Sequence, residues 1–370
     1  MKKLQTDKWK WIMRQDDLLK PCFENINSVH KKENIKSSTE RDVFTIKSDK
    51  TSYFVKYSHP TGLFQKIRAS FSPKLIKEFY AIKMLQKFNI STPKPVAAGF
   101  NGSKSILITT AVENASDVRT FWFEHCGEAL FRTTFLSSYA EFLKKILDTQ
   151  LFHPDFHPGN ILVRLNNDSF EFFLIDVYGI LPYEKLPDSK YFMMLTILGA
   201  MRGELSDLEA TDLISKITDY SNNKASSLWQ NILLRETKKT EKLWKKRKNK
   251  VFQNSKYTIL VSSEKNDVLI RKTMTGRPYI NINEINNNDF TNQWEQKNNS
   301  QEAAKDLWSY SFRMEFHRIP EKFPVAMILN KNSNNALLLF DNNYKIRHFL
   351  PQRDLANRKK LLNSEILARS

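Results

Sequence analysis

Apolar and polar residues alternate along 42–57, DVFTIKSDKTSYFVKY, in two runs around a polar Ser-Asp-Lys-Thr-Ser turn, which predicts a β-hairpin. The period then lengthens. In SPKLIKEFYAIKMLQKF (72–88), Leu75, Ile82 and Leu85 mark one helical face, with Ser72 as N-cap and Pro73 at the first helical position. The prolines of ISTPKPVAAGF interrupt that helix, and KSILITTAV (104–112) predicts another strand. The N-terminal part therefore reads as strand-rich with one helix.

From about residue 117 to 147 the pattern is helical, as in SSYAEFLKKIL. A polar stretch, LFHPDFHPGNILVR (151–164), and a strand, FEFFLID (170–176), come next, and 189–234 reads mostly as helix. Beyond a basic run at 238–250, KYTILVSSEKNDVLIRK (256–272) predicts a second hairpin and the Asn-rich NINEINNNDFTNQW (281–294) a loop. Helix is then expected up to Ile319, and NALLLFD (335–341) closes the series as a strand. Setting Pro95-Val96-Ala97 on Pro324-Val325-Ala326 also sets Ile90 on Ile319. The last third thus reads either as a degenerate internal repeat of the first or as an unrelated small α+β segment.

Composition narrows this picture in three ways. At 370 residues, 41% of them hydrophobic, the chain is globular and large enough for one large or two smaller domains. Its 58 Lys and Arg against 40 Asp and Glu leave +18, which favours polyanionic partners: nucleic acid, an anionic membrane face or phosphorylated substrates. Cys22 and Cys126 are the only cysteines, which excludes a disulfide framework and a thiolate zinc cluster. The N-terminus has no secretory apolar core, and YFMMLTILGAM (191–201) is too short to span a bilayer. A soluble, cytoplasmic protein that touches a membrane is the expectation.

The stretch 151–164 carries the chemistry. His153 and His157 stand four apart, as zinc ligands on a helix do, but Pro154, Pro158 and Gly159 work against a helix there. Asp155 and Asn160, five apart and with a histidine two residues before the aspartate, have instead the spacing of the protein-kinase catalytic loop. In that loop the Asp accepts the proton of the substrate hydroxyl and the Asn ligates magnesium. A second metal-binding Asp should follow a short strand, and Asp176 ends FEFFLID.

Such a site also needs a lysine for the phosphates and a helix glutamate to hold it. Lys56 lies in the second hairpin strand, on the same face as Phe54. Glu78 follows Leu75 by three and precedes Ile82 by four, so it sits on the apolar face of its helix. A carboxylate there requires a partner, and Lys56 is the natural one.

HPDFHPGNILV with FFLIDVYG, SYFVKY and KEFYAIKMLQKFNISTPKPVAAG together resemble the lipopolysaccharide core kinases, which phosphorylate 3-deoxy-manno-octulosonic acid (Kdo) or core heptose, over roughly 36–185. The resemblance implies a protein-kinase-like fold and transfer of the ATP γ-phosphate to a sugar hydroxyl. It implies Asp155 as catalytic base and Asn160 and Asp176 as magnesium ligands. Lys56 would hold the α- and β-phosphates with Glu78 orienting it, and Phe54 counts with them on the cofactor side. His157 falls where many protein kinases carry a loop lysine that contacts the γ-phosphate; His153 has a structural role beneath the loop. Two departures stand out: SSTERDVFTIK (37–47) has no glycine, leaving backbone amides or Ser37, Ser38 and Thr39 for the phosphates, and Asp-Val-Tyr-Gly replaces the protein-kinase triplet.

These readings give an α+β, bilobal, protein-kinase-like fold: residues 1–112 as a strand-rich N-lobe, 113–236 as a mostly helical C-lobe, and 237–370 as an extension with the order of a truncated N-lobe. In that extension the nearest counterpart of Lys56 is Arg271 or Lys272, and Leu307 matches Glu78, which argues against a second ATP site. The basic run around Trp244 (238–250) reads as a solvated helix or as a contact for anionic lipid or sugar phosphates; no base-reading module accompanies it. The expected activity is that of an ATP- and Mg2+-dependent kinase of a lipopolysaccharide inner-core sugar, peripheral on the cytoplasmic face of the inner membrane. The rivals are a kinase of another small molecule or of a protein, and a catalytically silent kinase-fold binding module. The quinone-biosynthesis kinases share the look of DFHPGNILV, but their Lys-x-Gly-Gln signature is missing.

Overall fold

The computed structural model describes residues 2–5, 9–13, 32–47, 51–167, 169–273, 276–286, 294–319, 321–341 and 352–367. The chain forms two units, 1–197 with 213–220, and 198–212 with 221–370. Cys22 and the hairpin turn at 48–50 lie outside the described residues; Cys126 is buried and forms no disulfide among the described residues.

In the first unit, β1 (Lys2–Gln5), β2 (Lys10–Met13), β3 (Lys32–Ser37), β4 (Arg41–Lys47) and β5 (Ser52–Ser58) precede two helices, α1 (Leu63–Phe71) and α2 (Lys74–Lys87). β6 (Pro95–Asn101) and β7 (Lys104–Thr110) follow, and the seven strands form one sheet in the order β1-β2-β6-β7-β5-β4-β3. Side chains alternate across it as a pleated strand requires. Val55 packs with Trp11, Phe44, Val96 and Ile106 on one face, and Lys56 points to the other, where α2 lies. The helix starts one residue later than the pattern predicts. Ser72 already donates its N–H to the Arg68 carbonyl and closes α1, so the extended Pro73 becomes the N-cap of α2. A second helix in this region, α1, was not expected from the sequence.

The unit continues with β8 (Ser116–Asp117), α3 (Val118–His125), α4 (Ala129–Asp148), β9 (Leu151–Phe152), β10 (Ile161–Asn166), β11 (Ser169–Leu174), β12 (Leu181–Pro182) and α5 (Asp188–Leu195). Asp117 caps α3 by accepting from the N–H groups of Arg119 and Thr120. The rings of Phe135, Tyr139 and Phe142 on α4 pack against Phe170 and Phe172 of β11, with centroids 5.2 to 5.7 Å apart. That aromatic clamp holds the β10–β11 hairpin, and the functional loops sit together at its open end, where Ile161 pairs with Leu174.

The second unit takes in the first part of α6 (Asp207–Thr218), then α7 (Asn222–Arg247) and a 3-10 turn (Lys248–Phe252). β13 (Thr258–Ser262), β14 (Asn266–Arg271), α8 (Ile282–Asn286), β15 (Trp294–Ser300), α9 (Gln301–Phe316), β16 (Pro324–Asn330), β17 (Asn335–Asp341) and α10 (Gln352–Leu367) complete it. The Asn-rich stretch read as a loop contains α8 and ends at the first residue of β15; residues 287–293 lie outside the described residues. Trp244 is buried with Trp308, Phe312 and Val251 in the core, while Lys238, Lys242, Lys245 and Lys246 are exposed on the outer face of α7. The basic run is therefore the wet side of an amphipathic helix whose tryptophan faces inward.

The likeness between the two thirds is local. Ile90 and Ile319 each donate an N–H back to the preceding helix, to Leu85 and Met314, at 3.0 Å, after a residue with φ of 55° or 56°. A bulge then follows Pro95 and Pro324 alike. The sheets are wired differently: β5 pairs with β7, whereas β14 pairs with β16 in the order β13-β14-β16-β17-β15. No helix among the described residues is long and apolar enough to cross a membrane.

Candidate functional site

Lys56 is held in the middle of the seven-stranded sheet, opposite Val43 of β4 and Leu107 of β7. Its side chain is nearly buried, and Nζ lies 2.5 Å from Oε1 of Glu78, which is 2% exposed on the sheet-facing side of α2. Leu75, Phe79, Ile82 and Leu85 surround that glutamate with apolar surface, so the pair stays in place only while both partners are present. Lys56 Nζ also donates to Oδ1 of Asp176. One cation thus joins a strand, a helix and the end of the β11 segment.

Asp176 itself has φ of 53°, in the left-handed region. Gly179, at φ of 84°, passes Pro154 so closely that a Cβ would lie 3.3 Å from its Cγ, which keeps this position a glycine. Burial raises the Asp176 pKa, but Lys56 and Arg41 overrule it and hold the carboxyl down at about 2. Arg41 was not foreseen: its Nη2 is 3.3 Å from the same Oδ1, at the start of β4 beside the glycine-free loop. The signal available was that loop, which carries charge where glycines are absent. Ser37 and Ser38 are exposed, Ser37 Oγ donating to Asp42 at 2.6 Å and Ser38 Oγ to the Arg41 carbonyl at 3.0 Å.

The loop after β9 is built from backbone contacts. His153 Nδ1 accepts the Asp155 N–H at 3.1 Å, and burial lowers the His153 pKa to about 4, so its ring is neutral. Asn160 Nδ2 donates to the Asp155 carbonyl at 2.9 Å and faces Oδ2 of the same residue at 3.4 Å. The Asn160 carbonyl in turn accepts the N–H of Ile175 at 2.9 Å, which puts the loop directly beside Asp176. The Asp155 carboxyl is 75% exposed, with His157 Nε2 at 3.7 Å from its Oδ1. His157 Nδ1 accepts the Gly159 N–H at 3.1 Å and caps the short 3-10 turn Pro158–Asn160.

Lys56 thus joins Glu78 and Asp176 directly, the N–H of Ile175 ties the neighbouring backbone to Asn160, and Asn160 holds Asp155, with His157 beside it. Phe54 shares the strand face of Lys56 and is half-buried. The two histidines of the loop spend their Nδ1 lone pairs on backbone N–H groups. No cluster of three or more His, Cys, Asp or Glu suited to a metal occurs among the described residues. The oxygen donors at hand are one carboxylate, Asp176, and the amide of Asn160, a set that suits a magnesium ion arriving with phosphate oxygens and is too sparse to hold one alone.

The second unit has no counterpart of this arrangement among its described residues. Arg271 is buried there with its guanidinium 3.6 Å from the ring centroid of Phe312, donating to Ser311 and Glu315, and Leu307 is partly exposed.

Residues 28–178, which span all the linked positions, match the model of the lipopolysaccharide kinase (Kdo/WaaP) family. The 3-deoxy-D-manno-octulosonic acid kinase of Mannheimia succiniciproducens is 27% identical over 129 residues, 31% of this chain and 50% of that protein. The chain thus spans half the length of the curated relative it matches. A solved structure of WaaP in complex with acyl carrier protein superposes at 17% identity with a TM-score of 0.49, over 63% of this chain and 98% of the other. The family resemblance read from the motifs is the one the family model finds, and the matched segment is built of both strands and helices.

Proposed function

We propose that the chain is an ATP- and magnesium-dependent kinase that transfers the γ-phosphate to a hydroxyl of a lipopolysaccharide inner-core sugar, Kdo or heptose, at the cytoplasmic face of the inner membrane. The observation that carries this reading is the single Lys56 ammonium shared by Glu78 and Asp176. In a phosphotransfer site a lysine so held grips the nucleotide phosphates. Residues 1–112 and 113–236 serve as the two lobes around the nucleotide, and 237–370 adds no second catalytic centre.

Asp155, open to solvent at the mouth of its loop, orients the sugar hydroxyl and takes its proton as the oxygen attacks phosphorus in line. The bond to the leaving ADP oxygen breaks as the new P–O bond forms. Asn160 and Asp176 hold magnesium, which neutralises phosphate charge when bound. Asn160 also fixes Asp155 through its carbonyl. Lys56 and Arg41 meet the phosphate oxygens from the side of the sheet, and His157 stands beside Asp155 for the γ-phosphate. Glu78 and Phe54 keep Lys56 and the nucleotide side of the sheet in position.

Transfer of labelled phosphate from ATP to a purified lipid A precursor carrying Kdo, with heptose-bearing core run in parallel, tests the reading. Label on the sugar that disappears with Asp155→Ala supports it. Label on protein or on a small sugar alone moves the assignment to another acceptor, and no transfer to any acceptor leaves a silent kinase-fold module.

A further inference from the structure

Helix α1 has no buried residue. Of its nine side chains, Leu63, Phe64, Ile67 and Phe71 are 71%, 87%, 50% and 88% exposed. At positions i, i+1, i+4 and i+8 these four fall within an arc of about 100°. Arg68 borders that arc beside Phe64, and Lys66 borders it on the side of Leu63. Between Thr61 and Lys77 the chain has four cations, Lys66, Arg68, Lys74 and Lys77, and no acidic residue.

A nine-residue helix is too short to persist on propensity alone, and one with an apolar ridge in water is ordinarily covered. The ridge is narrow and exposed along its length, and cations flank both of its long edges. That geometry matches a helix lying in the plane of a bilayer, its apolar arc among the acyl chains and its cations at anionic headgroups.

We infer that α1 is a membrane-docking element that inserts Leu63, Phe64, Ile67 and Phe71 into an anionic lipid surface. The inference rests on exposure and charge, and on the proposed function only for which membrane it meets. It relocates membrane contact from the basic run of α7, whose tryptophan is buried, to a helix whose aromatic rings are free to insert.

The full chain is tested by sedimentation with vesicles of phosphatidylethanolamine containing phosphatidylglycerol, against vesicles of phosphatidylcholine alone. The wild type is expected to bind the anionic vesicles preferentially. Phe64→Ser with Phe71→Ser should weaken that binding about tenfold or more while leaving the circular dichroism melt unchanged. Lys66→Glu with Arg68→Glu should weaken binding to anionic vesicles and not to phosphatidylcholine. Equal binding by wild type and both variants, or no binding by the wild type, overturns the inference. So does a wild-type oligomer that the Phe64→Ser, Phe71→Ser variant dissolves, since α1 would then cover a second copy. Transfer to an acceptor stripped of its acyl chains separates the two proposals. Serine variants that lose vesicles yet phosphorylate this acceptor normally support docking. If no form phosphorylates it while vesicle binding divides as described, docking stands and the kinase reading fails.

Discussion

Arg41 and Asp176, 135 residues apart in sequence, meet at a single carboxylate oxygen, Nη2 to Oδ1 at 3.3 Å. Lys56 reaches the same oxygen. With Glu78 also on Lys56, two cations and two carboxylates balance at this point, beside a loop that has no glycine.

Arg41→Ala is expected to raise the KM for ATP by about three- to tenfold, the modest figure reflecting a side chain partly open to solvent. Arg41→Lys should recover part of the loss. Initial rates at varied ATP measure both, and a KM unchanged in Arg41→Ala removes the arginine from the phosphate site.

The Lys56–Glu78 pair predicts a non-additive response. Glu78→Leu leaves the lysine buried with one partner fewer and should cost about 3 kcal/mol in urea unfolding. Adding Lys56→Met should restore most of that stability, because an apolar pair suits the face made by Leu75, Phe79 and Ile82. The double variant should nonetheless transfer no phosphate. A double variant less stable than Glu78→Leu would contradict this account of the pair.

Asp155 is exposed and accepts little from its surroundings, so Asp155→Ala should melt like the wild type. Its kcat is expected to fall by about 10²- to 10⁴-fold, the usual worth of a general base. Asn160→Ala should differ, losing both activity and stability, because Asn160 is buried and its amide ties the loop together. Thermal melts alongside single-turnover rates distinguish the two residues.

Two buried histidines set the pH dependence of stability. Burial lowers the pKa of His153 and of His317 from 6.5 to about 4. Between those values the unfolded chain binds more protons than the folded one, so stability holds above pH 6.5 and falls as pH drops toward 4. The slope is at most about 1.4 kcal/mol per pH unit for each histidine. Urea unfolding across that window should show it, and His153→Asn, which keeps an acceptor for the Asp155 N–H, should flatten the contribution from the first unit. Asp176 acts lower, its stabilising charge being lost as pH falls from 3.8 toward about 2.

What could be read in advance was whatever depends on spacing along one element. Glu78 stood out because its neighbours at three and four residues are apolar, and a helix turns those intervals into one face. Asp155 and Asn160 stood out because a short loop preserves their separation. The contact of Arg41 with Asp176 depends on how strands pair across the sheet, which no local interval encodes. The same holds for the second sheet, where the order of hairpin, helix and strand repeats but β14 chooses β16 as its neighbour. Helix α1 was missed for another reason: its apolar residues face water, so the rule that apolar periodicity marks a buried face has nothing to report. The basic run left two readings open, and the solvated helix is the one found, with Trp244 facing the core.

The glycine-free turn before β4 has a consequence for which ligands the site accepts. It is pinned from within, Ser38 bonded to Arg41, Ser37 to Asp42, and His59 to both Glu40 and Asp42. A turn so braced loses little further freedom when a ligand arrives, which favours tight capture of a shape that already fits. It also adapts poorly. Nucleotide analogues enlarged at the terminal phosphate, which a glycine-rich flap accommodates by bending away, should be rejected here, so chemical probes made for glycine-loop kinases would pass this protein by.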